Sequence, residues 1–221
     1  GKLSIKKIRR EDWAESWKPH FKPIQIGKAL LIKPSWSKKI PQKNQAVVVL
    51  DPGLGFGTGQ HATTSFCLKQ IVNCRRARET QSFLDIGTGS GILAIAAVKL
   101  GYSPVSAFDF DRDAVRISRD NAVLNKVKKQ VQPVHHDLTK MPLRIKSKYD
   151  LICANLIYDL LIAEKERIFN WLRPKGNLVL AGILKSQFAK VKASYEKLGL
   201  KLVETHVEKE WQSGLFNQKN F

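Results

Sequence analysis

Between residues 51 and 91 the chain carries two glycine-rich segments of the kind that fold around a nucleotide-like ligand. The first reads DPGLGFGTGQHATT over residues 51–64. The second, DIGTGSG over residues 85–91, follows the apolar Ser82-Phe83-Leu84 and opens an alanine-rich run from Ile92 to Leu100. Gly87, Gly89 and Gly91 carry no Cβ, so backbone can approach a ligand closely, and the start of the following helix presents free N–H groups. The spacing is Gly-x-Gly-x-Gly, with Ile92 where the dinucleotide fingerprint has its third glycine. That spacing favours S-adenosylmethionine over NAD, whose pyrophosphate asks for the other arrangement. Asp85, Gly87, Gly89 and Gly91 are therefore assigned to the cofactor.

Asp109 supports the same assignment. Gly101 ends the helix, Val105 to Phe108 reads as a second strand, and Asp109 follows 22 residues after Gly87. At that distance an acidic side chain one strand over meets ribose hydroxyls, and a carboxylate accepts two hydrogen bonds at once. The sequence His135-His136-Asp137 suggests a metal site but does not make one, because adjacent residues of a strand point to opposite faces.

The elements that must hold these residues alternate along the chain. Strands are expected at Ala29–Ile32, Ala46–Leu50, Ser82–Leu84, Val105–Phe108, Gln132–His136, Tyr149–Ala154 and Asn177–Ala181. Helices are expected at about Thr63–Arg76, Ile92–Leu100, Asp111–Asn125, Leu160–Trp171 and Ser186–Leu198. Thr63 and Thr64 read as an N-cap pair for the first of these. Such alternation means a doubly wound α/β sheet, mostly parallel and covered on both faces. Leu200–His206 and Glu208–Phe216, with no helix between them, predict a closing antiparallel strand pair. Residues 11–18 are expected to form a short helix with Trp13 and Trp17 on one face.

Composition narrows the class. With 221 residues and 43% hydrophobic content the chain can bury one large core. The partition expected is a basic, Trp/Pro-rich leader over 1–45 and a catalytic domain over 46–221. Three cysteines without a CxxC argue against a disulfide framework or a zinc site, so no metal is expected. No apolar run approaches a membrane span and nothing resembles a signal peptide, which predicts a soluble, cytoplasmic protein. Lysine and arginine number 38 against 19 acids, a net +19. That excess raises affinity for polyanions without choosing one, and it leaves open ribosome or RNA proximity on one side and a generally lysine-rich surface on the other.

Three stretches carry a resemblance: DPGLGFGTGQHATTSFCL (51–68), DIGTGSGILAIAAVKLG (85–101) and DLICANLI (150–157). They resemble the methyltransferase family that acts on ribosomal protein L-eleven (L11). Trp13, Trp17, Phe21-Lys22-Pro23, Ile26-Gly27 and Ile32-Lys33-Pro34-Ser35-Trp36 match the stretch preceding that family's catalytic domain, so the resemblance covers nearly the whole chain. The first segment is the specific one; many class I methyltransferases share the second. The resemblance implies a class I, Rossmann-like methyltransferase sheet and S-adenosyl-L-methionine as cofactor. It also implies lysine amines of L11, with its N-terminal amine as the alternative, as methyl acceptors, and L11 or a ribosomal subunit as partner. It further implies cofactor contact by Thr64 and by Asn155 of Ala154-Asn155-Leu156-Ile157. Asp137, after the third core strand, stands where class I enzymes commonly meet the adenine amino group. Ala62 replaces the family's usual Pro.

Transfer of a methyl group from a sulfonium is an in-line displacement that needs a neutral, aligned acceptor shielded from water. A lysine amine of pKa near 10.4 must be held neutral at pH 7, which costs roughly 4.6 kcal/mol; burial against carbonyl acceptors can offset that. Asn155, at the carboxyl end of the fourth strand, is the candidate catalytic group, its amide oxygen accepting N–H bonds from the amine. Enzymes acting on exposed amino groups often read Asn-Pro-Pro-Tyr here; this chain reads Asn155-Leu156-Ile157-Tyr158 and keeps only the Tyr. Phe56 is expected to pack on a cation from the first loop, and His61 to orient that loop by a hydrogen bond, with general-base work as the alternative. Tyr158 completes the expected acceptor side. Trp211 and Phe216 either line the acceptor mouth or seal the sheet.

Two other functions compete: an RNA or small-molecule N-methyltransferase on the same fold, with non-specific RNA contact through the basic surface, and a cofactor-binding ribosome-assembly factor. About 45 residues precede Ala46, broken by four prolines, leaving no room for the family's separate substrate-gripping domain. Poor methylation of isolated L11 by this chain is therefore expected, with near-normal cofactor binding.

Overall fold

The computed structural model describes residues 22–51 and 61–218. Phe56 and the tryptophan pair of residues 11–18 lie outside these. A three-stranded sheet comes first: β1 (Ile24–Ile26), β2 (Leu30–Lys33) and β3 (Ala46–Val49), with β1 antiparallel and β3 parallel to β2. The boundary expected at residues 45/46 falls inside this sheet. Its buried Leu30, Ile32 and Val48 join the same core as Phe83 and Ala94.

A seven-stranded sheet forms the body. Its strands are β4 (Phe83–Ile86), β5 (Val105–Asp109), β6 (Val134–His135), β7 (Tyr149–Asn155), β8 (Leu172–Leu184), β9 (Leu200–Glu208) and β10 (Trp211–Gln218), in the spatial order β6-β5-β4-β7-β8-β10-β9. Every pairing from β6 to β8 is parallel; β10 runs antiparallel between β8 and β9. The expected mostly parallel sheet with an antiparallel closing strand is therefore what forms.

Side chains alternate across this sheet with the period of two that strands impose. Phe83, Leu151, Cys153 and Val179 face α1 (Ala62–Asn73) and α2 (Ile92–Lys99). Leu84, Ile86, Ile152 and Leu178 face α4 (Tyr158–Ala163), α5 (Lys165–Trp171) and α6 (Lys185–Glu196). Between β5 and β6 runs α3 (Arg112–Leu124), whose N-cap Asp111 accepts a hydrogen bond from Asp113 N–H at 2.9 Å. That bond satisfies one of the free N–H groups at the helix start.

Several local expectations are corrected. The helix expected at Leu160–Trp171 is two helices, broken at Glu164, and the third core strand shrinks to two residues. The strand expected from Asn177 begins at Leu172. Arg173 to Gly176 bulge out of the pairing with β7, with Lys175 at φ 63°. The closing hairpin turns at Lys209-Glu210, two residues later than expected. Thr63 and Thr64 are not caps: His61 precedes the helix, and both threonines are buried within its first turn.

A polar stripe on the inner face of α3 ties two parts of the molecule together. Asn121 donates to Ser90 O at 2.8 Å, in the glycine turn. Asn125, just past the helix end, accepts from Val49 N–H and donates to Val49 O, both at 2.7 Å, so its amide pairs with the edge of β3 as a further strand would. Gln70, by contrast, is fully buried in α1 with neither amide atom bonded among the described residues. Unmade bonds of this kind cost about 1–3 kcal/mol each, and an apolar replacement of like shape removes the penalty. In urea unfolding, Asn125→Ala is expected to lose about 2 kcal/mol and Gln70→Met to gain about 1 kcal/mol. A stabilised Asn125→Ala or a destabilised Gln70→Met would contradict these bond assignments.

Candidate active site

The seven-stranded sheet reverses its winding at β4, with β5 on one side and β7 on the other. A crevice opens beyond the carboxyl ends of strands at such a point. The glycine turn occupies it. Gly87, Gly89 and Gly91 have φ of 71°, 54° and 82°, a region that side chains with a Cβ rarely adopt. The turn is pinned to β5 through Gly87 N–H and Thr88 N–H, which both donate to Phe108 O at 3.0 Å.

Two of the glycines are enforced by different neighbours. A Cβ on Gly87 would lie 2.5 Å from Leu156 Cδ2 across the crevice, and one on Gly91 would lie 2.9 Å from Ser118 Cβ on α3. The third glycine therefore serves helix packing.

Two carboxylates hold the turn. Asp109, nearly buried, accepts from Gly89 N–H at 2.9 Å through Oδ2 and from Asp111 N–H at 3.0 Å through Oδ1. Each oxygen keeps acceptor capacity toward the crevice. Asp85 lies beneath the turn, 1% exposed, its Oδ2 accepting from Thr88 Oγ1 at 2.7 Å and from Ala94 N–H at 3.2 Å. Its Oδ1 has no partner among the described residues. Burial pushes its carboxyl up to about 7, against the lowering effect of the Thr88 and Ala94 bonds and with a smaller upward push from Asp109.

Ile86, Gly87, Phe108, Asp109, Phe110, His136, Asp137, Leu138, Leu156 and Leu160 line a narrow slot beside the turn. Its walls are largely apolar, with Asp109 and Asp137 among its polar groups. Asp137 caps a short turn, Leu138–Lys140, by accepting from Thr139 N–H at 3.0 Å and Thr139 Oγ1 at 2.8 Å. Those bonds, with Lys140 alongside, hold its carboxyl below the usual range.

On the β7 side, half-exposed Asn155 ends the strand, and its side chain makes no hydrogen bond among the described residues. Gly182 on β8 makes the room it occupies. With φ 79°, a Cβ there would meet Leu156 O at 2.5 Å and Asn155 Oδ1 at 3.1 Å. Tyr158 opens α4, half-buried against the second core, next to Ile157, which is 69% exposed.

Thr64 is buried in α1, away from free solvent. His61 Nδ1 lies 2.8 Å from Thr63 Oγ1, and its ring stands edge-on to Trp211 at 5.0 Å between centroids. Trp211 thus meets the end of the first glycine segment, whereas fully buried Phe216 seals the sheet beside Tyr195.

Sequence reasoning overlooked Gly182, Leu156, Phe108 and His136. A signal existed for the first: a lone glycine within the apolar Ala181-Gly182-Ile183 marks a close backbone approach.

Residues 1–219 match the family model of ribosomal protein L11 methyltransferases. The chain belongs to the ribosomal protein L11 methyltransferase family. Curated relatives of that name include one from Exiguobacterium sp., 38% identical over 96% of this chain and 66% of its own length. Another, from Caldanaerobacter subterraneus, is 37% identical over 99% of this chain and 68% of its own. The chain thus spans about two thirds of the length of these family members. Among solved structures, the L11 methylase of Lactobacillus delbrueckii superposes with a TM-score of 0.79 at 29% identity, covering 90% of this chain and 99% of that one. An N-methyltransferase from Bradyrhizobium japonicum, solved with S-adenosyl-L-homocysteine, shares the fold at 12% identity and a TM-score of 0.57.

The raised carboxyl of Asp85 makes stability depend on pH with a defined sign. The unfolded carboxyl titrates near 3.8 and the folded one near 7, so across that window the native state holds a proton that the unfolded chain has released. Stability therefore falls as pH rises from about 4 to about 7. Asp85→Asn keeps an acceptor for Thr88 and Ala94 and removes that titration. Denaturation midpoints between these pH values should decline more steeply for the parent than for the variant; parallel curves would contradict the buried carboxyl.

Proposed function

We propose that this chain uses S-adenosyl-L-methionine to methylate lysine amines of ribosomal protein L11. Family membership supports the reaction class, and the observation that carries the site assignment is the unpartnered Asn155 amide at the carboxyl end of β7, beside the glycine turn. The crevice suits this cofactor: an apolar slot for a planar base, a carboxylate with spare acceptor capacity at Asp109, and a turn free of Cβ atoms. When bound, the cofactor supplies an electrophilic methyl group on a sulfonium.

The chain's own residues do the rest. Asp109 accepts from the ribose hydroxyls while keeping Gly89 and Asp111 in place. Asp137, held ionised, accepts from the adenine amino group, and Phe108, Leu138 and Leu156 exclude water around the base. The glycine turn, free of Cβ atoms and backed by Asp85, borders the cofactor's amino-acid end. Asn155 Oδ1 accepts an N–H of the neutral amine and directs its lone pair, a contact worth making only in the transition state. Tyr158 and Ile157 border the acceptor side, and His61 and Thr64 stand at the start of α1. Cytoplasmic action follows from a ribosomal acceptor.

The net charge of +19 favours a second reading, methylation of RNA. Tritiated cofactor, incubated with L11 and with ribosomal subunits and then digested separately with protease or ribonuclease, separates the two. Label released only by protease is expected; label released by ribonuclease would overturn the protein acceptor. Asn155→Ala is expected to lower turnover at saturating cofactor by at least tenfold, about 1.4 kcal/mol, with cofactor affinity changed much less. Lost affinity with intact turnover would make Asn155 a binding residue only.

A further inference from the structure

The positive charge of this chain is not spread evenly, and the fold decides where it lies. Residues 126–148 contain seven Lys/Arg and one acid, Asp137. The two basic clusters of this stretch sit in the segments that lead into β6 and β7, at the end of the sheet where the parallel strands begin. The glycine turn, Asp109, Asp137 and Asn155 are at the other end, which also carries Asp111, Asp113 and Asp159.

Burial fixes which way the cations point. In the first segment Val127 and Val131 are buried while Lys126, Lys128 and Lys129 are exposed. In the second, half-buried Ile145 lines a small cavity with Ser106, Val134 and Tyr149 near the starts of β5, β6 and β7, while Arg144, Lys146 and Lys148 are exposed. None of these six cations makes an ion pair among the described residues. The neighbouring acid is already taken: Asp150 accepts from Ser82 N–H and Oγ at 2.8 Å and pairs with Arg173 at 3.1 Å and Arg76 at 3.8 Å.

From this we infer that the face at the amino ends of the parallel strands is a docking surface for the phosphate backbone of RNA. Six uncompensated cations on two anchored segments match closely spaced phosphates, and each contact releases a counterion. An anionic bilayer fits less well. Within residues 126–148 the exposed large apolar residues are Val134, at 38%, and Leu143, at 47%, and surface binding to lipid needs a wider apolar face to bury. The face lies opposite the crevice, so RNA held there leaves the crevice open. The inference rests on charge placement alone and does not require L11 to be the acceptor.

The test uses a short mixed-sequence single-stranded RNA bearing a fluorophore, with anisotropy read across salt. Six phosphate contacts predict a log–log salt slope of about −4. The double variant Lys128→Glu/Lys129→Glu should bind at least tenfold more weakly, with a shallower slope. Lys185→Glu/Lys209→Glu, which makes the same charge change at the opposite end, should lose less than threefold. Thermal unfolding establishes that both variants fold. Equal losses in the two variants would mean binding by net charge alone and overturn the assignment. So would a slope near zero, or tighter binding to phosphatidylserine vesicles than to RNA.

Discussion

Three glycines in left-handed conformation within five residues hold their shape because two neighbouring strands each send a carboxylate to them. Asp85 reaches up from β4 to the turn and to the start of α2; Asp109 reaches across from β5. The turn in turn fixes where Thr88 and Gly89 present their backbone and where Leu156 can approach from β7. Without the two acids, a backbone so lacking in side chains would have no single conformation to offer a ligand. The buried, half-satisfied Asp85 is the cost of that rigidity: one oxygen serves the turn, and the other has no partner among the described residues.

The same turn is coupled to the rest of the molecule through α3. Ser118 packs against Gly91, Asn121 holds Ser90 O, and Asn125 grips Val49 on β3, one turn of helix apart each time. Val49 leads directly to the first glycine segment, so one helix sets the relation between the turn and the chain entering that segment. All three are buried: Asn121 and Asn125 bond backbone outside the helix, and Ser118 Oγ donates to Val115 O within it.

Much of this was legible in the sequence, for reasons that differ by element. The parallel strands β4, β5 and β7 are short, largely apolar runs that carry Asp85, Asp109 and Asn155 at or one residue before their carboxyl ends, and the period of two carries straight into two cores. The Asp111 cap and the length of α3 follow from local chemistry. What escaped was set by tertiary pairing. β1 has little local signal and exists because β2 is there to pair with it. β8 begins at Leu172 because Tyr149 offers a partner, despite Pro174 and Gly176. Asp85 reads as a ligand contact by motif, yet its side chain faces the interior, which only the direction of β4 reveals. Membership of the L11 methyltransferase family names a reaction class; the side chains bordering Asn155 are what an acceptor would have to fit.

We propose that the crevice between β5, β4 and β7 holds the cofactor's nucleoside. Backbone amide chemical shifts recorded while titrating S-adenosyl-L-homocysteine test it most directly. The largest changes are expected at Gly87, Gly89, Phe110, Leu138 and Leu156, with little change at Lys128 or Lys146 on the opposite face. Changes centred instead on the groove of Arg112, Arg116, Arg119 and His135 beside α3 would contradict it.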